Sequence, residues 1–194
     1  MKRTFEKALP TGYCEVMVVD AESAKFGIIM NVVALIVMAI IAAITACIVR
    51  PAGFLENFSF TRNIIFLIVL PLYLILHELT HGLAYKMLTG QKLKFGFTLT
   101  VAYCGIPDVY VYRKTAIIAL LAPFVVFSVL FGAATVLFQN PWDQVYAGVL
   151  VGLHVGGCCG DLYDFLLYLF KFRSPDVLMQ DTGPKQTFYV KEKG

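Results

Sequence analysis

Charged residues are scarce in this chain: they make up 15% of its 194 residues, whereas hydrophobic residues make up 59%. This composition excludes an ordinary soluble enzyme and predicts an integral membrane protein. The chain has five cysteines, an odd number, which argues against a disulfide framework. The net charge of +3 is small. The basic residues that set the orientation of a membrane protein account for this small positive charge, so we expect no nucleic-acid partner.

Four apolar runs exceed the length of about 20 residues that a membrane-spanning helix needs. They cover residues 26–49, 63–88, 115–138 and 145–170. The first run contains no charge, and it begins too late and is too long to be a cleaved signal peptide. The sequence therefore predicts a mainly α membrane protein with one domain of four transmembrane helices over residues 26–170. A segment of residues 1–25 precedes this domain, and a tail of residues 171–194 follows it.

The sixteen Lys and Arg residues are shared unevenly among the segments between these runs. The loop of residues 139–144 has none, and the loop of residues 50–62 has only Arg50 and Arg62. If both termini lie in the cytoplasm, the other fourteen basic residues are inside, as the positive-inside bias requires. We therefore predict an integral membrane protein with cytoplasmic N- and C-termini.

Residues 91–114 differ from the apolar runs on either side, because apolar and polar side chains alternate there and Phe, Tyr, Val and Thr are frequent. This pattern predicts a short β-hairpin between the second and third helices, with a turn near residues 104–108. A hairpin edge can accept an extended peptide as an added strand. The alternative is an ordinary connecting hairpin. Another short strand is predicted at residues 13–19.

The sequence His77-Glu78-Leu79-Thr80-His81 lies inside the second apolar run. On a helix, residues four apart share a face, so both imidazoles can reach one metal ion. Glu78 then lies beside the metal, where a carboxylate can take a proton from water. Three ionisable side chains within five residues of an apolar span are costly and indicate a functional site. The alternative is that neighbouring helices satisfy these side chains.

A catalytic zinc site has three protein ligands and an open position for water, so a third ligand must come from another part of the chain. The candidates are Asp161, Asp164, His154 and, less plausibly, Asp108. Depth in the membrane is measured along each helix from its cytoplasmic end. The midpoint between His77 and His81 lies about 13 Å deep, and Asp161 also lies about 13 Å deep. Asp164 lies about 9 Å deep and His154 about 24 Å. Depth favours Asp161.

Two alternatives for these candidates remain open. Asp164 could replace Asp161 as the third ligand, or it could orient a ligand histidine from one helical turn away. For His154, the alternative to metal binding is a partner within the helix bundle. The fourth apolar run is rich in glycine around residues 148–160, and such a stretch bends or unwinds readily.

The order of these features resembles the intramembrane metalloproteases of the site-2-protease class. More closely, it resembles a family of small four-helix bacterial membrane proteins regarded as zincin peptidases. The resemblance covers residues 64 to about 170. The motif of residues 77–81 matches the family's zinc-binding helix, and Leu121-Ala122-Pro123 resembles a small-residue–proline element. Gly160-Asp161 takes the place of the aspartate-bearing helix, although site-2 proteases usually carry Leu-Asp-Gly there and this chain has Gly-Asp-Leu.

The resemblance implies a zinc-dependent, membrane-embedded endopeptidase that cuts within or next to transmembrane segments. The expected cofactor is Zn²⁺ held by His77, His81 and Asp161, with Glu78 as the general base. The expected partners are the lipid bilayer, in a bacterial plasma membrane, and a transmembrane substrate. The oligomeric state is not predicted.

Two other functions are compatible with the sequence. One is a zinc-binding membrane scaffold or regulator without peptidase activity, and the intact Glu78 argues against it. The other is a small transporter whose His and Asp residues line an ion path. A single polar cluster at one depth, with no trail of polar groups across the bilayer, argues against that function.

Overall fold

The computed structural model describes residues 3–53, 59–97 and 102–192, and in these ranges the chain is mainly helical. The helices are α1 (Ala24–Val49), α2 (Phe60–Thr89), α3 (Arg113–Leu137), α4 (Pro141–Gly157) and α5 (Cys159–Phe170). The strands are β1 (Phe5–Glu6), β2 (Tyr13–Asp20), β3 (Lys94–Phe97), β4 (Ala102–Gly105), β5 (Tyr110–Tyr112), β6 (Leu178–Asp181) and β7 (Lys185–Lys191).

Among the described residues, three helices, α1, α2 and α3, are long and apolar enough to cross a membrane. The surface of α1 is almost entirely apolar and largely exposed. Only Thr45 of its 26 residues is buried, and Ile36 and Ile40 are each 54% exposed. In water such a surface would drive aggregation, whereas lipid covers it favourably. These three helices are consistent with a membrane protein.

The fourth apolar run forms two helices rather than one. α4 ends at Gly157, α5 begins at Cys159, and the pair is bent at the break, so it is either one broken span or a re-entrant loop. Gly156, Gly157 and Gly160 surround the break. Glycine in a helix interior is less favourable than alanine by about 1 kcal/mol, which explains why the helix breaks in the glycine-rich stretch.

The chain divides into two compact units. The first consists of Met1–Ile28, His77–Pro123 and Gly160–Gly194, and it contains every strand of the described residues. The second consists of Ile29–Leu76 and Phe124–Cys159.

A five-stranded antiparallel sheet of order β1-β5-β6-β7-β2 belongs to the first unit. The strand predicted at residues 13–19 is confirmed as β2, which pairs with β7 from Tyr13 opposite Lys191 to Asp20 opposite Lys185. The sheet thus joins the N-terminal segment, the segment between α2 and α3, and the tail.

A separate two-stranded sheet pairs β3 with β4, with Lys94 opposite Gly105 and Phe97 opposite Ala102. The turn predicted near residues 104–108 does not join these two strands. It leads from β4 into β5 of the larger sheet, because the Ile106 N–H donates to the Asp181 carbonyl and draws the chain toward β6. The connection between β3 and β4, residues 98–101, lies outside the described residues.

The core of the first unit includes Tyr85 of α2, Tyr168 of α5 and Phe188 of β7, all buried. Arg113 at the start of α3 holds the end of α5. Its Nε donates to the Phe172 carbonyl and its Nη2 to the Tyr168 carbonyl, each at 3.1 Å. A cation on the last carbonyls of a helix satisfies them and complements the helix dipole.

In the second unit, α4 packs against α1 through glycine residues. A Cβ atom on Gly156 would lie 2.6 Å from the Ala34 carbonyl oxygen, and one on Gly152 would lie 3.0 Å from the Met38 carbonyl oxygen. Small residues allow two helices to approach this closely. The glycines of α4 therefore serve helix packing in this unit.

Candidate metal centre

His77 and His81 lie on one face of α2, as their spacing predicts. Their ring centroids are 4.9 Å apart, and each residue is only 7% exposed. Because both side chains project from one continuous helix, their separation is fixed by the helix and not by a flexible loop.

Asp161, in the first turn of α5, lies against both histidines. Its Oδ2 atom is 3.5 Å from the Nε2 of His77 and 3.4 Å from the Nε2 of His81. The candidate ligand atoms of the three residues all lie within 4.8 Å of one another. Ligands held about 2.1 Å from a tetrahedral ion are about 3.4 Å apart, so the measured separations fit one zinc ion.

The other ring nitrogen of His81 contacts the backbone of α3. Its Nδ1 is 2.9 Å from the carbonyl oxygen of Ala119. A carbonyl can only accept, so Nδ1 carries the proton and donates it, and in the neutral imidazole the lone pair is then on Nε2. Such outer hydrogen bonds set the tautomer and orientation of metal-binding histidines.

Glu78 is half-buried, and its carboxylate lies near the backbone N–H of Cys104 in β4. One turn further along α2, Gly82 allows this close approach. A Cβ atom there would lie 2.7 Å from the Phe95 ring and 3.2 Å from the Cys104 Sγ. The sequence predicts Glu78 as the base but gives no signal for its partner, because every residue other than proline has a backbone N–H.

The structure places the other candidate ligands differently. Asp164 is buried one turn beyond Asp161 and does not join the group of His77, His81 and Asp161. Within the described residues, its Oδ1 has no hydrogen-bond partner. Asp108 is exposed in the turn after β4.

His154 belongs to the second unit, where it is completely buried. Its Nδ1 lies 2.9 Å from the Tyr73 hydroxyl, and its Nε2 lies 3.1 Å from the Phe124 carbonyl oxygen and 3.2 Å from the Ser128 hydroxyl. The helix-bundle partners expected under the alternative interpretation of this histidine are therefore present.

Asp181, which the sequence does not single out, is buried at the end of β6. Its Oδ2 accepts the Tyr85 hydroxyl at 2.7 Å, and its Oδ1 accepts the Gly183 N–H at 2.9 Å. Tyr85 is one turn beyond His81 on α2. The carboxylate of Asp181 thus links the tail to the helix that bears the two histidines. The turn signal Gly183-Pro184 is the only local sign of this arrangement in the sequence.

Asp181→Asn is expected to flatten the pH dependence of folding stability. Burial raises the pKa of the Asp181 carboxyl from 3.8 to about 6. Because the folded protein holds this proton more tightly than the unfolded chain does, the neutral acid adds to the free energy of unfolding. This addition is full below pH ~4 and is lost as the pH rises through ~6, a change of about 2–3 kcal/mol. The amide stays neutral, and it can still accept from Gly183 and donate to the Tyr85 hydroxyl.

The measurement is the free energy of unfolding in detergent from pH 4 to 7. Wild type should lose stability relative to the Asn variant across this range. The exposed Asp176 of the same tail provides the control, since Asp176→Asn should follow wild type. A difference between wild type and the Asp181 variant that stays constant with pH would contradict the assignment.

Apolar helices long enough to cross a membrane, together with two buried histidines and a partly buried aspartate beside a glutamate, define a candidate membrane metallopeptidase. The sequence model of the family described as "Putative zincin peptidase" matches residues 70–175, more than half of the chain, and the chain belongs to this family. The family implies zinc. The matched range includes the motif of residues 77–81 and Asp161 and ends before β6. No curated protein and no solved structure matches the chain.

Proposed function

We propose that this protein is a zinc-dependent, membrane-embedded endopeptidase that hydrolyses peptide bonds within or next to transmembrane segments. The observation that carries the proposal is the juxtaposition of two imidazole nitrogens and one carboxylate oxygen beside Glu78, on helices that include apolar spans. Membership of a zincin peptidase family supports the same chemistry.

His77, His81 and Asp161 would hold the zinc ion. Two imidazoles and one carboxylate are a donor set found at catalytic zinc sites, where a further position stays open for water. The burial of the two histidines reduces competition from bulk water, and the hydrogen bond of His81 to Ala119 leaves Nε2 free to act as a ligand. When bound, zinc lowers the pKa of a water molecule and polarises a peptide carbonyl.

Glu78 would act as the general base. It follows His77 directly on α2, so its carboxylate stands next to the ligand group without belonging to it. In the reaction it takes the proton of the attacking water and then gives a proton to the leaving amine. The N–H of Cys104 lies near this carboxylate, where it can donate a hydrogen bond and orient it.

The sheet topology supports four membrane crossings, with α4 and α5 together forming the fourth. β5 comes directly before α3 and β6 follows α5, yet both strands belong to one sheet. If the sheet lies on one side of the membrane, a chain that leaves that side through α3 would return to it through the α4–α5 pair. The bias of basic residues favours a cytoplasmic position for the sheet.

The proposed substrate is a transmembrane segment that unwinds near the site. At the helical rise, His81 and His77 lie roughly 12 and 18 Å from the end of α2 at Thr89. Among the described residues, β3 and β4 pair only with each other, and β4 lies beside Glu78. We propose that an extended peptide adds to this small sheet as a further strand, which would bring its scissile bond toward Glu78.

The proposal is tested with purified protein in detergent. We expect close to one zinc ion per chain and cleavage of reporters that carry single transmembrane helices. A chelator should stop cleavage, and added zinc should restore it. If the protein holds zinc but cleaves none of a panel of helical reporters, the scaffold function becomes the better explanation. A protein without zinc affinity would overturn the proposal.

A further inference from the structure

α3 contains a proline, Pro123, which is completely buried in the middle of the helix. Proline has no backbone N–H, so it cannot donate to the carbonyl four residues earlier, and its ring pushes that carbonyl aside. In α3 this carbonyl belongs to Ala119. It is the same oxygen that lies 2.9 Å from the Nδ1 of His81.

We propose that Pro123 is a positioning residue of the metal centre. By removing the helical donor, it makes the Ala119 carbonyl available to the imidazole of His81. The inference rests on the proposed function in so far as His81 is a zinc ligand. The hydrogen bond itself does not depend on the metal.

In a regular helix, the Ala119 carbonyl would accept the N–H of residue 123 and lie along the helix axis. Ala119 is completely buried, so water does not reach it, and its carbonyl needs a donor from within the protein. The Nδ1–H of His81 is such a donor. Pro123 leaves the Ala119 carbonyl without its helical donor, and the Nδ1–H of His81 takes the place of that donor.

This contact fixes which nitrogen of His81 can bind a metal. If the proton were on Nε2, the lone pair of Nδ1 would face the carbonyl oxygen, which is repulsive. With the proton on Nδ1, the lone pair of Nε2 is on the side of Asp161, whose Oδ2 is 3.4 Å away. Two such electron-rich atoms are held together favourably only with a cation between them, which is the arrangement of two ligands that share a metal ion. Pro123 thus acts on the site through Ala119 and has no direct contact with the metal.

Pro123→Ala is the test, because it returns an N–H that competes with His81 for the Ala119 carbonyl. We expect zinc affinity, measured by competition with a chromophoric chelator, to fall by about 10- to 100-fold, as when other outer-shell partners are removed. The melting temperature of the zinc-free protein should not fall, because alanine suits a helix interior better than proline does. General damage to the fold would lower both quantities.

The other proline inside a described helix, Pro71 of α2, provides the matched control. Pro71→Ala also restores a helical N–H, but in the second unit, and we expect it to leave zinc affinity unchanged. If Pro123→Ala binds zinc as tightly as wild type, or if the two variants lose affinity equally, the inference is wrong.

A second measurement does not require zinc. The chain has three histidines, so nitrogen NMR of histidine-labelled, zinc-free protein at alkaline pH can be assigned by replacing each in turn. The comparison is made with Asp161→Ala introduced into both wild type and Pro123→Ala, because the carboxylate 3.4 Å from Nε2 would otherwise compete for a proton on that nitrogen. Neutral His81 should carry its proton on Nδ1 when Pro123 is present, and Pro123→Ala should shift part of it to Nε2. A proton on Nε2 with Pro123 present overturns the inference. Failure of wild type to bind zinc overturns the proposed function alone, since the NMR result still decides the role of Pro123.

Discussion

Replacing Glu78 with glutamine is expected to reduce cleavage of a transmembrane reporter to background while the protein keeps its zinc. Glu78 does not belong to the group formed by His77, His81 and Asp161, so the metal does not need it. Water activation does need it, and general-base help contributes about 10²- to 10⁴-fold in rate. Glutamine keeps the shape of the side chain, and its amide oxygen can accept from the nearby N–H of Cys104.

The experiment compares cleavage rate and zinc content in the same preparations. Glu22→Gln is the matched control, because this exposed glutamate lies just before α1, and its replacement should change neither quantity. A Glu78→Gln protein that cleaves as fast as wild type would show that Glu78 is not the base. Loss of zinc in this variant would instead show that the carboxylate supports the metal.

Asp161→Asn is expected to cost the protein most of its zinc affinity. The amide oxygen is a much weaker ligand than a carboxylate, and the two histidines alone do not complete a three-ligand site. The loss should exceed the ~10- to 100-fold that removal of an outer-shell partner causes. Zinc content after dialysis and affinity by chelator competition both measure it.

Asp164→Asn is the matched control, since it makes the same replacement of a carboxyl group by an amide one turn further along α5. We expect it to retain zinc, because Asp164 is not grouped with the two histidines. The opposite pattern, with zinc lost in the Asp164 variant and kept in the Asp161 variant, would exchange the roles of the two aspartates. Retention of zinc in both variants would direct the search for a third ligand to His154.

The three long apolar helices could be predicted closely, because a bilayer would set the length of the apolar runs that form them. The apolar runs of residues 26–49, 63–88 and 115–138 correspond to α1, α2 and α3, whose observed ends differ from them by at most three residues. The motif on α2 could also be read from the sequence, since its geometry follows from the helical repeat alone. Comparing depths along two helices also predicts that Asp161 lies level with that motif.

Contacts between distant segments could not be predicted in this way. β2 and β7 pair across most of the chain, and neither strand carries a signal that names its partner. The bond from Tyr85 to Asp181 crosses from a helix to the tail, which is polar and gave no functional signal. The bond from His81 to Ala119 uses a backbone carbonyl, a group present in every residue.

The sheet also determines the order in which the protein matures. β2 leaves the ribosome before any of the helices, but its partner β7 is synthesised only after α5. Closing contacts of such long sequence separation is slow, and until then the edges of β2 and β5 are unpaired. Asp181 lies in β6, which is also synthesised after α5. Its bond to Tyr85, which links the tail to the helix that carries His77 and His81, therefore forms only after α5 has been made.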